Sequence, residues 1–387
     1  MERAGAVVVG GGAVGCAVAW QLADAGIGSV FLLEKNPRLG EEQSGRSSGV
    51  VHAGIYYAAG SLKARLCVEA NARMYELAGA HGIPCVKTGK LVVASSKDDL
   101  PGLEEVRSRA LANGVPGVQP LTRRETAVLE PSLSVEAALL IPTTGIVDAP
   151  RLVGTLARLA ERKGGSVLTG FEVTAIRPQR GVFEVTGRRR GGATAEETFE
   201  AEAVVNAAGL RCDEVGRMAD PALDATVVPL RGEYCRVNRR HRPGLWLSGR
   251  NVYPVPERLD LGGERPLMVG THLTPTFSLG NDGSTAPGDL FTVGPEFRVA
   301  PSRDDYESDR FPADVLVSRA RRYMPGLEVS DVQLDYAGIM VHLKGATDWV
   351  IRRDEKHPSF IQLLGIDSPG LTCCVEIGKL VRKMLVG

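Results

Sequence analysis

The chain has 387 residues carrying 46 basic and 46 acidic side chains, so its formal net charge is zero. A balanced charge leaves no long-range field to gather nucleic acid or an anionic membrane. The length suits two or three domains or one interleaved unit, and a hydrophobic share of 43% is ordinary for a protein with a large core.

In chain order, Met1 to Gly5 is too short for the charged region of a signal peptide, and Ala6 to Val9 reads as a buried strand ended by glycine. Val14 to Ala25 reads as a helix closed by Gly26. Ser29 to Leu33 is a second apolar run, stopping at Glu34. Strand, tight turn, helix and strand make a βαβ unit with parallel strands. Ser61 to His81 reads as a long helix, Lys90 to Ser95 as a strand and Asp98 to Asn113 as an amphipathic helix. Ala149 to Lys163 is another helix, with Asp148 placed to cap it. Val167 to Ile176, Val182 to Thr186 and Thr198 to Ala201 resemble a small antiparallel ribbon. Its tip is the basic run Arg188-Arg189-Arg190 before Gly191-Gly192, read as solvated surface. Ala203 to Ala207 is a separate apolar strand. From Thr226 to about Tyr336 the chain reads as a mainly antiparallel sheet with one helix at Ala313 to Tyr323, and Pro369 to Leu385 is a final helix.

The seven cysteines are odd in number and none has C-x-x-C spacing, which argues against a disulfide framework, an iron–sulfur cluster or a zinc site. No metal is expected, and reduced thiols fit a cytoplasmic protein. No stretch approaches the roughly 20 apolar residues that span a bilayer; a peripheral membrane contact stays open.

Val9-Gly10-Gly11-Gly12-Ala13-Val14-Gly15 is a G-x-G-x-x-G match that follows a strand and opens a helix, with Glu34 closing the next strand. Gly10 permits the tight turn, Gly12 clears the approach of a pyrophosphate, and Gly15 lets helix and strand pack closely. The helix start at Ala13 and Val14 turns N–H groups and partial positive charge toward phosphates. Glu34 is placed to accept hydrogen bonds from ribose hydroxyls and to repel the extra phosphate of NADP. The competing reading is an ordinary glycine-rich turn, which spacing, context and acid together disfavour. Two further segments exceed a bare NAD site. Ala203 to Gly209 is a second strand ending in Ala208 and Gly209. Gln43 to Gly49 offers Ser44, Arg46, Ser47 and Ser48 to a second phosphate. Both favour FAD.

The segments QSGRSSGVVHAGIYY (Gln43 to Tyr57), SLKARLC (Ser61 to Cys67), TTGIVD (Thr143 to Asp148), PLRGEY (Pro229 to Tyr234), NVYPVP (Asn251 to Pro256) and GIDSPGLT (Gly365 to Thr372) run nearly the whole chain. In that order they resemble the D-amino-acid-oxidase-like superfamily of FAD oxidoreductases and, within it, L-2-hydroxyglutarate dehydrogenases and oxidases. The resemblance implies an α/β protein: a Rossmann-type FAD-binding domain (1–86, 145–225 and 337–387) interleaved with an α+β substrate-binding domain on a mainly antiparallel sheet (87–144 and 226–336). It implies non-covalent FAD and oxidation of the CH–OH group of a small 2-hydroxy acid to the 2-oxo acid. Electrons then leave to oxygen, a quinone or another carrier. An amine or amino-acid oxidase, an oxidase of a specialised-metabolism intermediate, and a flavin-binding protein without turnover are the alternatives.

By the same resemblance, Lys35, Val173 and Gly338 join the cofactor-binding set, and the backbone amides of Gly370, Leu371 and Thr372 face the flavin's pyrimidine end. Ser368 capping an ordinary helix is the competing reading. His52 is a candidate base for the hydroxyl proton or else a structural histidine; Tyr56 and Tyr57 are candidate pocket walls. Lys63 is read either as a group that holds a carboxylate or steadies negative charge on the flavin, or as a solvated helix lysine. Arg231 is read as a bidentate carboxylate clamp, with Tyr234 and Tyr253 similarly directed. The chain departs from the family at three places: Met340 stands where an arginine is usual, Thr143 where histidine is frequent, and Cys373-Cys374 where small residues are. Losing the arginine relaxes the expected preference for a carboxylate, with His342 or Lys344 as substitutes if the strand is regular.

Overall fold

The computed structural model describes residues 2–191, 195–245, 247–260, 263 and 266–387. The chain forms two compact units, one from Met1–Ser47, Ala149–Pro229 and Met340–Gly387, the other from Ser48–Asp148 and Leu230–Ile339.

In the first unit, strand Glu2–Val9 lies between two parallel neighbours, Val30–Glu34 and Glu196–Asn206. Ser166–Thr169 extends the sheet on one side and Phe360–Leu364 on the other, both parallel. Parallel strands buried on both faces read as unbroken apolar runs, and Val30–Glu34 is buried at every position. The register aligns Val9 with Leu33 and with Asn206, so three strands end level and their following turns share one edge. Helix Ala13–Asp24 packs on helices Ala149–Arg162 and Gly370–Val386.

Two sequence expectations change here. Residues 198–201 and 203–207 are not separate strands: Glu196–Asn206 is continuous, antiparallel to Phe183–Arg189 along its first half and parallel to Glu2–Val9. The run from Val167 breaks at Gly170, whose N–H donates to the Asn36 carbonyl. Ser166–Thr169 thereby joins the parallel sheet, and Phe171–Pro178 the ribbon. Arg188 and Arg190 pair with Glu172, and Arg189 with Glu197, on the surface; Gly192 lies outside the described residues.

The second unit is built on a sheet in the order Val332–Leu343, Val227–Asn238, Thr285–Val299, His272–Leu279, Asn251–Pro254, Lys90–Ala94, Ala137–Ile141 and Gln119–Thr122. Asn251–Pro254 runs parallel to Lys90–Ala94; the pairings on either side of these two are antiparallel. Leu316, Val317 and Ala320 of helix Ala313–Arg321 fill one face beside Val237, Phe291 and Leu273. On the other flank Ala53 and Ile55 share a core with Val92, Leu103 and Val106. That core, and the Asn71 amide donating to the carbonyls of His52 and Thr143, place residues 48–86 in this unit, whereas the sequence-based division gave them to the cofactor domain. Two short helices escaped the sequence reading. Arg123–Leu129 starts at a Thr122/Glu125 capping box, and Cys212–Ala219 follows the strand ending at Asn206. Among the described residues no helix is long and apolar enough to cross a membrane.

Candidate active site

The level ends of Glu2–Val9, Val30–Glu34 and Glu196–Asn206 open onto a cavity of about 200 Å³ in the first unit. Gly10, Gly12, Ala13, Val14, Gly15, Glu34, Lys35, Ser44, Val173, Ala208 and Gly209, all expected at the cofactor, line it. The three glycines are not equivalent. Gly10 has φ +111°, and a Cβ there would lie 2.4 Å from the Ala207 carbonyl oxygen; at Gly15 it would lie 1.8 Å from the Gly10 carbonyl oxygen. Those positions are closed to any side chain. At Gly12 an added Cβ meets only the Ser44 hydroxyl, at 3.1 Å, and at Gly209 it meets open space. Backbone is bare there toward the cavity, at a helix start whose N-cap residue, Gly12, has no side chain to cap it. The Ala13 N–H donates to Ser44 Oγ.

Glu34 is buried, accepting from the amides of Gly11 and Asn36 at 2.7 Å each. Burial raises its carboxyl above the usual range, against the pull of those two amides. Lys35 pairs with Glu42 at 2.6 Å. Asn206, fully buried, donates to the Cys212 carbonyl and to Gln362 Oε1, and accepts from the Ala208 amide, which fixes the turn before Gly209. Bare backbone, a carboxylate at the far strand and a turn held from beneath fit the ADP half of FAD.

Other expected cofactor residues lie elsewhere. The Ser47 hydroxyl donates to the Ser44 carbonyl and the Arg46 amide to that of Glu42, bracing this turn. Ser48 belongs to the second unit, beside the Tyr253 phenol. Gly338 sits in strand Val332–Leu343. Gly370, Leu371 and Thr372 open helix Gly370–Val386; its N-cap is Pro369, not Ser368, and the Gly370 amide already donates to the Asp367 carbonyl. Gln43, not singled out from the sequence, ties this region together: its Nε2 donates to the Ile366 carbonyl and its Oε1 accepts from the Val341 amide.

In the second unit, His52, Tyr56 and Tyr253 come together around Lys90, which sequence reasoning passed over. Lys90 is 1% exposed. Its Nζ lies 3.6 Å from the centre of the Tyr253 ring and 5.4 Å from that of Tyr56. Burial pushes its ammonium down to about 7. His272, also missed, stacks on Tyr253 with ring centres 3.7 Å apart, and its Nδ1 meets the Gly270 carbonyl at 2.9 Å. Burial, with a smaller push from Lys90, takes it down to about 3. His52 is held well below the usual histidine range by burial, then by Lys90 and His272. Both imidazoles are therefore neutral at neutral pH. The buried Tyr56 hydroxyl and His272 Nε2 have no hydrogen-bond partner among the described residues.

One expectation for this unit fails on geometry. Arg231 is fully buried, paired with Glu233 and Asp305 and donating to the carbonyls of Asp305, Ser308 and Asp309. Its fork pins the 305–309 turn and is not presented to a substrate. Lys63 lies in the first turn of helix Leu62–His81, half-buried. Strand Val332–Leu343 does alternate, with Met340 and His342 half-buried on one face; Lys344 falls past its end.

A parallel sheet, a glycine-rich turn opening a helix and a buried acid closing the next strand have the pattern of a dinucleotide-binding protein. Residues 6–384 match the family described as DAO, FAD dependent oxidoreductase. The chain belongs to this family of FAD-dependent oxidoreductases. It is 31% identical to the mitochondrial L-2-hydroxyglutarate dehydrogenase of Caenorhabditis elegans, over 97% of this chain and 92% of that protein. It is 33% identical to the L-2-hydroxyglutarate dehydrogenase of Indibacter alkaliphilus, over 97% of each. Among solved structures, the FAD-bound L-alpha-glycerophosphate oxidase of Mycoplasma pneumoniae superposes with a TM-score of 0.83 at 26% identity, covering 100% of this chain and 96% of that one. Glycine oxidase of Geobacillus kaustophilus shares the fold at a TM-score of 0.79 and 22% identity, covering 100% and 95%.

Proposed function

We propose that the chain oxidises the CH–OH group of a small 2-hydroxy acid, L-2-hydroxyglutarate or a near analogue, to the 2-oxo acid. The likeness of nearly the whole chain to proteins named L-2-hydroxyglutarate dehydrogenase carries this reading. FAD, when bound, supplies the acceptor for the two electrons that leave the substrate carbon with its hydrogen. The bare backbone at Gly12 and the helix start behind it would hold its diphosphate, and Glu34, fixed by two amides, would take its ribose hydroxyls. His52 is the base: kept neutral by burial and by Lys90, it is free to accept the hydroxyl proton as the C–H bond breaks. Tyr56 and Tyr253 wall the cluster.

The test is anaerobic reduction of the purified, FAD-loaded protein. L-2-Hydroxyglutarate is expected to bleach the flavin absorbance. Bleaching by amines or amino acids alone would move the chain to CH–NH oxidation, and an oxidised flavin throughout a broad panel would mark a binding protein without turnover.

A further inference from the structure

We propose that Lys90 binds the substrate's carboxylate, its ammonium poised between the ring faces of Tyr56 and Tyr253. The assignment rests on the 2-hydroxy-acid reading above. It begins from a physical imbalance: a lysine ammonium this buried is costly unless something negative answers it. No Asp or Glu pairs with Lys90 among the described residues. The groups that face it are the Tyr56 and Tyr253 rings, the His52 and His272 imidazoles and the Cys67 thiol. Cation–π contact with two rings recovers part of the lost hydration and fixes the position, yet leaves the positive charge unneutralised.

The same cluster holds a second imbalance. Buried polar atoms are seldom left without a partner, and here the Tyr56 hydroxyl and His272 Nε2 both are. Because a carbonyl can only accept, the His272 Nδ1–H must donate to Gly270, which leaves Nε2 as a lone-pair acceptor. The cluster therefore presents one cation, one hydroxyl donor and one nitrogen acceptor, and lacks a negative charge. A small carboxylic acid bearing a hydroxyl group supplies what is missing. The ammonium takes the carboxylate in a charge-assisted bond, which is stronger than a neutral one.

The pH dependence follows from the groups named. Burial raises both phenols and lowers both imidazoles, so Lys90 is the member of this set whose charge changes near neutrality.

The experiment is calorimetric titration of the FAD-loaded protein with glutarate and with its neutral diamide, glutaramide; neither is turned over. The wild type is expected to prefer glutarate, with affinity falling above about pH 7. Lys90→Met should weaken glutarate by at least about thirtyfold while leaving glutaramide within about threefold. Lys90→Arg should keep glutarate within about tenfold and abolish the fall with pH, because guanidinium does not deprotonate. No preference for glutarate in the wild type, equal loss of both probes in Lys90→Met, or a pH fall that persists in Lys90→Arg would each overturn the assignment. The arginine arm decides should Lys90→Met fail to retain FAD. A wild-type flavin left unbleached by L-2-hydroxyglutarate would sink the functional reading alone, since the glutarate contrast involves no turnover.

Discussion

The Lys90 ammonium stands 3.6 Å from the centre of the Tyr253 ring, and neither residue is more than 2% exposed. The burial of Lys90 makes stability depend on pH in a definite direction. The folded-state value of Lys90 is lowered to about 7, while the unfolded chain keeps its proton to about 10.4. Between those values the unfolded state binds more protons, so stability rises with pH. Lys90→Met should therefore melt higher than the wild type below pH 7, by the equivalent of ~2 kcal/mol or more, with the gap closing toward pH 10. Thermal unfolding at pH 6, 8 and 10 measures this; a constant gap would contradict it.

His272 gives the acid limb. Its folded value of about 3 lies below the ordinary 6.5, so its stability is complete above pH 6.5 and is lost as pH falls toward 3. His52 acts with the same sign. His272→Gln should flatten the decline in unfolding free energy between pH 6.5 and 4.5, read from urea titrations at both ends. An unchanged slope would place the acid sensitivity elsewhere.

The glycines of the first turn should separate folding from cofactor binding. Gly15→Ala drives a methyl into the Gly10 carbonyl oxygen and should unfold or destabilise the protein by ~3 kcal/mol or more. At Gly12 an added Cβ meets only the Ser44 hydroxyl, so the Gly12→Val apo-protein should melt within a few degrees of the wild type yet purify without FAD. Circular dichroism melting and flavin absorbance distinguish the two; a yellow Gly12→Val protein would refute the placement of the diphosphate.

Arg231→Met removes one cation from a buried network in which Glu233 keeps Arg298 at 3.5 Å, Arg310 at 3.6 Å and the Phe311 amide. The expected cost is about 1–3 kcal/mol, from the carbonyls of the 305–309 turn left without their donor, with substrate affinity unchanged in the protein that remains folded. A large rise in KM at unchanged melting temperature would restore Arg231 as a substrate clamp.

Met340 sits half-buried on the same face of its strand as His342. Met340→Arg should raise kcat/KM for dicarboxylic hydroxy acids, by about tenfold for one new charge-assisted pair. Steady-state kinetics on L-2-hydroxyglutarate checks it, and unchanged or lower activity would show that a second carboxylate is met elsewhere.

The cofactor half was legible in the sequence because its logic is local. Gly10, Gly12 and Gly15 lie within one turn and Glu34 closes the next strand, so spacing alone carries the argument. Arg231 was misread because its partners, Asp305, Ser308 and Asp309, are far along the chain and only the folded sheet brings them near. Lys90 was missed although a sign was present. Leu91-Val92-Val93-Ala94 is unbroken apolar sequence, and such a run marks a strand buried on both faces. A lysine opening that run goes inside with it, as the fully buried strand Lys90–Ala94 does. The domain boundary near residue 47 was illegible, since it depends on Ala53 and Ile55 finding Val92 and Leu103.

The parallel pairing of Lys90–Ala94 with Asn251–Pro254 sets Asn251 opposite Lys90 and Val92 opposite Tyr253. That register delivers Tyr253 to the ammonium, while the ADP cradle is assembled from other stretches, around Gly10 to Ser44 and Ala207 to Met218. Descendants of this chain could thus exchange one chemistry of recognition for another by altering a pair of neighbouring strands, inheriting the nucleotide seat untouched. A slip of a single residue in that pairing would turn Tyr253 to the opposite face, so drift in what the protein accepts should arise by replacing side chains at fixed positions, with insertions confined to the loops.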